Sequence, residues 1–409
     1  MAIISPFRAL RPQPALASKV ASLPYDVLNS AEARIVTGDN PYSFLHITKA
    51  EIDLPEGTDI HSEKVYRKAE DNLSIFRDQK ILFTDEQPYY YIYQLTMNGK
   101  SQTGLVSVSA VADYEKDIIK KHELTRPEKE LDRINHMRIT GAQTGNVFLA
   151  YKTNKNLSTL ISDWKKSHPP AYDFVADDGI GHIIWVVDQS EIIQSISDIF
   201  KNEIPFTYIA DGHHRAASAA KVKDALGDKA SPEAEYFLTT LFPADELRIL
   251  DYNRVVKDLS GLTAADFLKK LEQDFRVEKV NAAFSPDQLH RFGMYLENQW
   301  YRLEARAGSF RKDPIGVLDV TILQENILSP LLGIGDPRTD DRIDFVGGIR
   351  GLTELEKRVD SGNMKIAFSL YPVSMDQLFN IADSGEIMPP KSTWFEPKLR
   401  DGLLTHLIR

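Results

Sequence analysis

The stretch IPFTYIADGHHRAASAA, residues 204–220, decides the fold class of this chain. An apolar run ends at Asp211-Gly212, and an alanine-rich run begins directly after the two histidines and an arginine, which predicts a strand, a tight turn and a helix. The first N–H groups of a helix have no carbonyl partner within it, and the positive end of the helix attracts anions. We therefore expect an α/β protein whose functional site lies at this turn.

Four side chains at the turn carry charge or form hydrogen bonds: Asp211, His213, His214 and Arg215. The guanidinium group of Arg215 has a planar fork that matches phosphate oxygens, and histidines change protonation near neutral pH. Asp211 can bind Mg²⁺ or orient a histidine. The alternative is a tight turn in which the histidines only satisfy backbone groups. The density of charged groups at one helix start favours a phosphate site.

Composition and charge exclude several classes of function. The chain has 409 residues, which is enough for two or three domains with buried cores. Because it has no cysteine, disulfides, thiolate metal sites and redox thiol chemistry are excluded. The formal net charge is −10, and the basic residues are scattered among acids, which argues against nucleic acid as a partner. No apolar run has the length of a signal peptide or membrane anchor, so we expect a cytoplasmic protein with no membrane partner.

The residue pattern also predicts elements before the turn. Apolar residues at helical spacing predict a helix within His61–Gln79. Two runs rich in aromatic and branched residues, Tyr89–Leu95 and Thr103–Val111, lie on either side of Asn98-Gly99. An Asn-Gly pair between such runs predicts a β-hairpin.

We divide the chain into three segments on these patterns. Residues 1–150 are expected to form an N-terminal α+β region with a His-Glu motif, residues 151–260 the phosphate-binding core with the DGHHR turn, and residues 261–409 a C-terminal α+β lobe with the PPKST segment.

The His-Glu motif is a second candidate site, within KHELTRP, residues 121–127. The proline restricts the residue before it, so Glu123 is expected on a fixed turn, where a carboxylate can accept the proton of a hydroxyl group. The alternative is that Glu123 only caps the charged helix that follows. A zinc site formed by His122, Glu123 and His136 is a weaker interpretation, because the spacing lacks the HExxH pattern.

A third candidate segment is PPKST, residues 389–393. Lys391, Ser392 and Thr393 place one cation and two hydroxyl groups after a rigid proline pair, and such donors can bind a phosphate or a carboxylate. The alternative is that the prolines end a helix and the hydroxyl groups cap the next one.

Taken in order, the three segments resemble the motifs of the free L-serine kinases of the ParB/sulfiredoxin-like superfamily. Those kinases have a His-Glu segment, a DGHHR turn and a late Gly-Glu…Pro-Lys-[Ser/Thr]-Thr segment, which match residues 122–123, 211–215 and 385–393 here. The chain departs from that pattern at Trp394-Phe395, where the kinases have Arg-His. With KHELTRP and Pro24-Tyr25-Asp26-Val27, it also looks like a bacterial family of unknown function related to those kinases.

The resemblance implies transfer of a phosphoryl group from ADP, or from ATP, to the hydroxyl of free serine, with Mg²⁺ as cofactor. It also implies a ParB/sulfiredoxin-like mixed sheet with an elaborated N-terminal region and a C-terminal α+β lobe. Glu123 would be the base, and Asp211 would assist the metal or the hydroxyl. The phosphate or nucleotide would contact Gly212, His213, His214 and Arg215, and the substrate would contact Lys391, Ser392, Thr393, His122 and, in place of a tryptophan, Tyr252.

The expected partners are therefore serine or O-phosphoserine and a nucleotide, and a homodimer is left open. Two other functions remain open at this point. One is a non-catalytic nucleotide-binding regulatory module, and the other is a phosphoserine phosphatase that uses the same anion site.

Overall fold

A nine-stranded mixed sheet positions the DGHHR turn. The structure is a computed structural model that describes residues 1–409. Its contacts divide the chain into a first unit, residues 1–247 with 397–409, and a second unit, residues 248–396. The sheet belongs to the first unit, and its strands in spatial order are Ile119–Lys120, Thr207–Asp211, Val147–Tyr151, Tyr236–Pro243, Lys100–Ala110, Tyr90–Met97, Gly181–Val187 and Tyr172–Val175, with Ile4–Ser5 paired to Lys100–Ala110.

The strand Thr207–Asp211 lies near one side of this sheet, parallel to Ile119–Lys120 and antiparallel to Val147–Tyr151. Tyr236–Pro243 is parallel to Val147–Tyr151, and the remaining neighbours pair antiparallel. The predicted α/β class with a mixed central sheet is confirmed. Because Ile119–Lys120 leads directly to the His-Glu motif, its pairing brings that motif to the strand that ends at Asp211.

Helices cover the sheet and form the core with it. The longer ones in the first unit are Ser30–Thr37, Glu63–Asp78, Pro127–Thr140, Lys155–Ser167, Ser190–Glu203 and His213–Leu226, and the shorter ones are Ala17–Val20, Leu45–Thr48 and Val111–Glu115. The predicted helix within residues 61–79 is present as Glu63–Asp78. None of the helices combines the length and the apolar composition that crossing a bilayer requires.

The predicted hairpin is also present, with strands Tyr90–Met97 and Lys100–Ala110. Asn98 and Gly99 both have positive φ, 51° and 73°. The two-residue turn that matches the twist of hairpin strands requires positive φ at both of its residues, and Asn and Gly adopt this conformation readily. The Asn-Gly pair was therefore sufficient to predict the hairpin. Two short pairs complete the first unit: Leu10–Pro12 with Leu82–Thr84, and Ala142–Gln143 with His406–Leu407.

The second unit has an antiparallel sheet of six strands in the order Phe275–Val280, Gln299–Ala305, Arg291–Leu296, Ile366–Leu370, Tyr252–Val256 and Ile343–Gly347. Its helices are Ala264–Leu271, Asp319–Leu323, Gly351–Asp360 and Met375–Ser384, with a π-helical turn at Gln324–Leu328. A short pair joins Ile249–Leu250 to Trp394–Phe395.

The boundaries of the two units differ from those of the three segments expected from the sequence. Strands from residues 1–150 and from 151–260 are intermixed within the single nine-stranded sheet, so these two segments share one core. The chain leaves the first unit after residue 247 and returns to it at residue 397.

Asp319 is a buried acid in the second unit, and it leads to a prediction about stability. One of its oxygens, Oδ1, accepts a hydrogen bond of 2.8 Å from the backbone N–H of His290, while Oδ2 is buried without a partner. Burial raises the pKa of Asp319 to about 7. The folded protein therefore keeps a proton that the unfolded chain releases near pH 4, and stability falls as pH rises from about 4 to about 7.

We expect Asp319→Asn to remove this pH dependence, because asparagine stays neutral. Between pH 4.5 and pH 8 the melting temperature of the second unit should fall by on the order of 5 °C more in the wild type than in the variant. Scanning calorimetry at both pH values measures the difference. Asp341→Asn is the matched control, since Asp341 is exposed. Parallel pH profiles for the wild type and Asp319→Asn would contradict the prediction.

Candidate functional site

The turn after Thr207–Asp211 depends on Gly212. This residue has φ of +99°, a left-handed conformation that glycine adopts without strain, and it precedes the helix His213–Leu226. A Cβ at this position would lie 3.3 Å from Cζ and Nε of Arg215, so the guanidinium group packs against the glycine itself. The register shifts between Ile209 and Asp211, which is the signature of a β-bulge that redirects a side chain.

We expect Gly212→Ala to destabilise the helix start by about 1–2 kcal/mol from backbone strain and to displace Arg215 as well. Gly227→Ala is the matched control, because Gly227 ends the same helix at φ of +54° and a Cβ there would have no atom within 4 Å. Urea denaturation and calorimetry with inorganic phosphate measure the two effects. Loss of phosphate affinity in Gly212→Ala but not in Gly227→Ala is the expected result, and equal losses would contradict it.

The His-Glu motif and the DGHHR turn meet in the first unit, although His122 and His213 are 91 positions apart. Oε2 of Glu123 lies 3.6 Å from Nδ1 of His213. The backbone N–H of His122 donates to Nε2 of His213 at 3.5 Å, and the two imidazole rings pack edge to face with centroids 4.5 Å apart. A second contact ties the same segments, since the backbone N–H of Arg126 donates to Nε2 of His214 at 3.0 Å.

All three histidines at this junction are held neutral by their surroundings. Burial lowers the pKa of His122 to about 4. Burial, followed by the neighbouring His122, lowers the pKa of His213 well below its usual value. Burial and the positive charge of Lys129 lower the pKa of His214. The histidines therefore act as hydrogen-bonding groups, and Arg215 supplies the positive charge of the turn.

Arg215 is buried among acceptors. Its guanidinium group donates to the backbone carbonyl of Asn146 and, at 3.2 Å, to Oδ2 of Asp26, and it lies 3.7 Å from Oδ1 of Asp211. The other oxygen of Asp211 accepts a hydrogen bond of 3.1 Å from Nζ of Lys398. Burial alone would raise the pKa of Asp211, but Lys398 and Arg215 outweigh it and hold that pKa well below its usual range. The site thus contains a network of two cations and two carboxylates.

This network does not fit a resident metal ion. Both oxygens of Asp211 face cations, which repel Mg²⁺, and no group of three or more His, Asp or Glu side chains is arranged to hold a metal. His136, the third member of the zinc interpretation, directs Nε2 to the backbone carbonyl of Ile47 at 3.0 Å. The donor set fits an anion better than it fits a cation.

Several buried polar atoms around the turn have no partner within the protein. They are His122 Nδ1, Asn146 Oδ1, Arg215 Nε and Asp401 Oδ2. A cavity of about 20 Å³ borders Arg215 and Gly145, which is enough for one water molecule. Buried polar groups are normally paired within the protein or with water, so these four atoms are suited to bind water or a polar ligand.

Sequence reasoning missed three residues of this site: Asp26, Lys398 and Asp401. Asp26 lies in the Pro24–Val27 stretch, which supports the family resemblance but by itself indicates no chemical role. Asp401 is buried, and burial raises its pKa to about 8. Neither Lys398 nor Asp401 belongs to a motif, so only the fold, which returns residues 397–409 to the first unit, brings them to the turn.

The other predicted site residues lie in the second unit. Lys391 has positive φ, 58°, and its Nζ is 5.8 Å from the ring centroid of Tyr252. The guanidinium group of Arg254 donates to the backbone carbonyl of Lys391 at 2.9 Å and fixes this turn. Tyr252 packs edge to face against Trp394, with centroids 5.0 Å apart.

The hydroxyl of Ser392 donates to the backbone carbonyl of Pro389 at 2.6 Å, and Thr393 is half-buried. Ser392 therefore stabilises the PPKST turn, and it does not cap a helix, because no helix follows this segment. A shared site between these residues and Glu123 stays a prediction.

Comparisons with known proteins add the following. No curated protein matches the chain significantly. Among solved structures, a free serine kinase in complex with AMP is 12% identical with a TM-score of 0.37, and the match covers 72% of this chain and 89% of that chain. A conserved hypothetical protein from Pyrococcus furiosus is 13% identical with a TM-score of 0.35, covering 70% and 91%. Truncated SbnI from Staphylococcus aureus is 11% identical with a TM-score of 0.37, covering 72% and 85%.

A family model described as "Protein of unknown function (DUF1015)" matches residues 4–321, which include the whole His-Glu motif and the whole DGHHR turn. Because this match spans more than half of the chain, the protein belongs to the DUF1015 family.

Proposed function

We propose that this protein is a cytoplasmic phosphotransferase that moves a phosphoryl group between a nucleotide, ADP or ATP, and the hydroxyl of free L-serine. The product in the kinase direction is O-phosphoserine. Glu123 is the general base, and the DGHHR turn binds the transferred phosphoryl group. The order of the three motifs, which resembles the free serine kinases of the ParB/sulfiredoxin-like superfamily, supports serine as the acceptor.

The position of Glu123 is the observation that carries this proposal. Its carboxylate lies 3.6 Å from His213, the first residue of the helix that starts at the turn, and its side chain is 41% exposed. A base for phosphoryl transfer must reach the acceptor hydroxyl and stay close to the bound phosphate. Glu123 satisfies both conditions, because solvent reaches it and an anion-binding helix start lies beside it.

The transfer is a single displacement at phosphorus, in which one bond forms and one bond breaks. The proton of the serine hydroxyl passes to Glu123 while the hydroxyl oxygen forms a bond to the terminal phosphorus of the nucleotide. The bond from that phosphorus to its bridging oxygen breaks, so ADP leaves as AMP, or ATP leaves as ADP. In the reverse direction Glu123 returns the proton to the serine oxygen. Such reactions need positioning and charge stabilisation more than covalent catalysis.

The charge stabilisation comes from the turn. Lys398 and Arg215 lie on either side of Asp211, and the first N–H groups of the helix point away from its body. These groups stabilise negative charge that develops on the phosphoryl oxygens. Mg²⁺ enters as the ion that the nucleotide phosphates carry, because both Asp211 oxygens face cations.

The assignment of Lys391, Ser392 and Thr393 to the phosphate side of the substrate, and of Tyr252 to the serine pocket, stays a prediction from the sequence. Within the second unit, Trp394 packs against the ring of Tyr252.

The test incubates the purified protein with ADP or ATP, Mg²⁺ and isotope-labelled serine, and measures O-phosphoserine by chromatography. The reverse reaction starts from O-phosphoserine and AMP or ADP. Product in either direction supports the proposal, and absence of product in both directions rejects serine as substrate. Tight nucleotide binding without product would favour the non-catalytic regulatory module. Release of free phosphate from O-phosphoserine without nucleotide would favour the phosphatase.

A further inference from the structure

His213 occupies a different environment from its neighbour His214. Its side chain is 4% exposed, and each of its two ring nitrogens faces a polar group of the protein. Nε2 faces the backbone N–H of His122 at 3.5 Å, and Nδ1 faces Oε2 of Glu123 at 3.6 Å. His214 is more exposed and contacts the backbone of Arg126 instead.

These contacts fix which nitrogen of His213 carries the proton. A backbone N–H can only donate, so Nε2 must accept and cannot itself be protonated. A neutral imidazole then carries its proton on Nδ1, the nitrogen that faces Glu123. The buried ring is also held edge to face against His122, which restricts its rotation.

From this geometry we propose that His213 is a positioning residue, which orients the carboxylate of Glu123 through Nδ1–H and does not bind phosphate. This inference rests on the proposed function and refines it, because the sequence placed His213 with His214 among the phosphate ligands. The 3.6 Å separation shortens to a hydrogen bond when substrate excludes water, as is common for catalytic contacts.

The charged and titratable groups around His213 are Glu123, His122, Asp211, His214 and Arg215. Asp211 is the second carboxylate among them, and its two oxygens face Lys398 and Arg215. Glu123 is therefore the carboxylate that Nδ1–H of His213 faces.

The arrangement has a clear physical benefit for a general base. A carboxylate that is 41% exposed can rotate between several hydrogen-bonding partners in water. A fixed N–H on one oxygen restricts this rotation and so favours one orientation of the carboxylate toward the acceptor hydroxyl. Orientation of Glu123 by His213 is therefore expected to raise kcat and to leave the affinity for phosphate unchanged.

Two substitutions separate the two roles of the imidazole. In His213→Asn the amide nitrogen replaces Nδ1, whereas in His213→Gln it replaces Nε2. We expect His213→Asn to keep kcat within about 5-fold of the wild type and His213→Gln to lose on the order of 100-fold in kcat, with KM for nucleotide unchanged in both. Thermal melting of both variants verifies that they fold.

Two results in this comparison would overturn the inference. One is retention of activity by His213→Gln together with loss by His213→Asn, which is the pattern of a phosphate ligand that acts through Nε2. The other is an equal effect of both substitutions, which means that no particular N–H is required.

A measurement on the wild-type protein does not depend on variants or on activity. ¹⁵N NMR of histidine-labelled protein distinguishes the two neutral forms, and the signal of His213 is assigned by its loss in His213→Asn. A proton on Nδ1 is expected, and a proton on Nε2 would overturn the inference. If the wild type transfers no phosphoryl group, the proposed function fails, while calorimetry with inorganic phosphate still tests His213. The informative variant is His213→Asn, which lacks a group at the position of Nε2: unchanged phosphate affinity supports a positioning role, and weakened affinity overturns it.

Discussion

Replacing Glu123 with glutamine is expected to lower kcat for O-phosphoserine formation by about 10²- to 10⁴-fold, the usual contribution of a general base. Glutamine has the same shape and keeps a hydrogen-bond acceptor, but it cannot accept the serine proton. Nucleotide affinity should stay within about 3-fold, because the substitution leaves the cations around Asp211 in place. Initial rates and calorimetry measure the two quantities.

Glu128→Gln is the matched control for this experiment. Glu128 lies on the same segment, is exposed and belongs to the charged first turn of Pro127–Thr140. The control should keep full activity. Full activity of Glu123→Gln would exclude Glu123 as the base, and weakened nucleotide binding with unchanged kcat would place it among the nucleotide contacts.

Replacing Arg215 with methionine is expected to produce the largest loss of stability, about 3 kcal/mol. The substitution leaves Asp26 and the carbonyl of Asn146 without their cation. Breaking a buried ion pair costs about 3–5 kcal/mol, and the lower value applies because the side chains of Asp26 and Asp211 are 36% and 31% exposed. Phosphate binding should also fall by at least about 10-fold, since Lys398 is then the remaining cation of the network.

Amide hydrogen exchange in the helix His213–Leu226 measures the local loss of stability, and calorimetry measures phosphate affinity. Lys223→Met is the control on the same helix, because Lys223 forms an exposed pair with Glu235, and its replacement should leave the stability of the helix close to that of the wild type. Equal effects of Arg215→Met and Lys223→Met would show that the buried network does not stabilise this helix.

The sequence predicted those parts of the fold that depend on local chemistry. The Asn98-Gly99 turn needs positive φ at two adjacent residues, and the break at Gly212 needs positive φ and room for Arg215. Both requirements can be recognised from the residue types alone, since glycine and asparagine tolerate positive φ. The closeness of Glu123 to the DGHHR turn followed only from the order of motifs, and the parallel pairing of Ile119–Lys120 with Thr207–Asp211 is its physical cause.

Other parts of the site depend on the path of the chain and have no local signal. Lys398 and Asp401 reach the turn because the backbone of Asp401 pairs with Ser22 and because residues 397–409 rejoin the first unit. The metal role predicted for Asp211 did not take Lys398 into account, and a metal ion bound there would have to compete with the contact between Lys398 and Oδ2. Long-range pairing of this kind cannot be derived from spacing or periodicity.

The return of residues 397–409 to the first unit delays the completion of that unit during synthesis. All of residues 248–396 are translated before Lys398 and Asp401, so the first unit cannot complete its charge network until the inserted segment has been made. Until then Asp211 has Arg215 beside it but lacks its second cation.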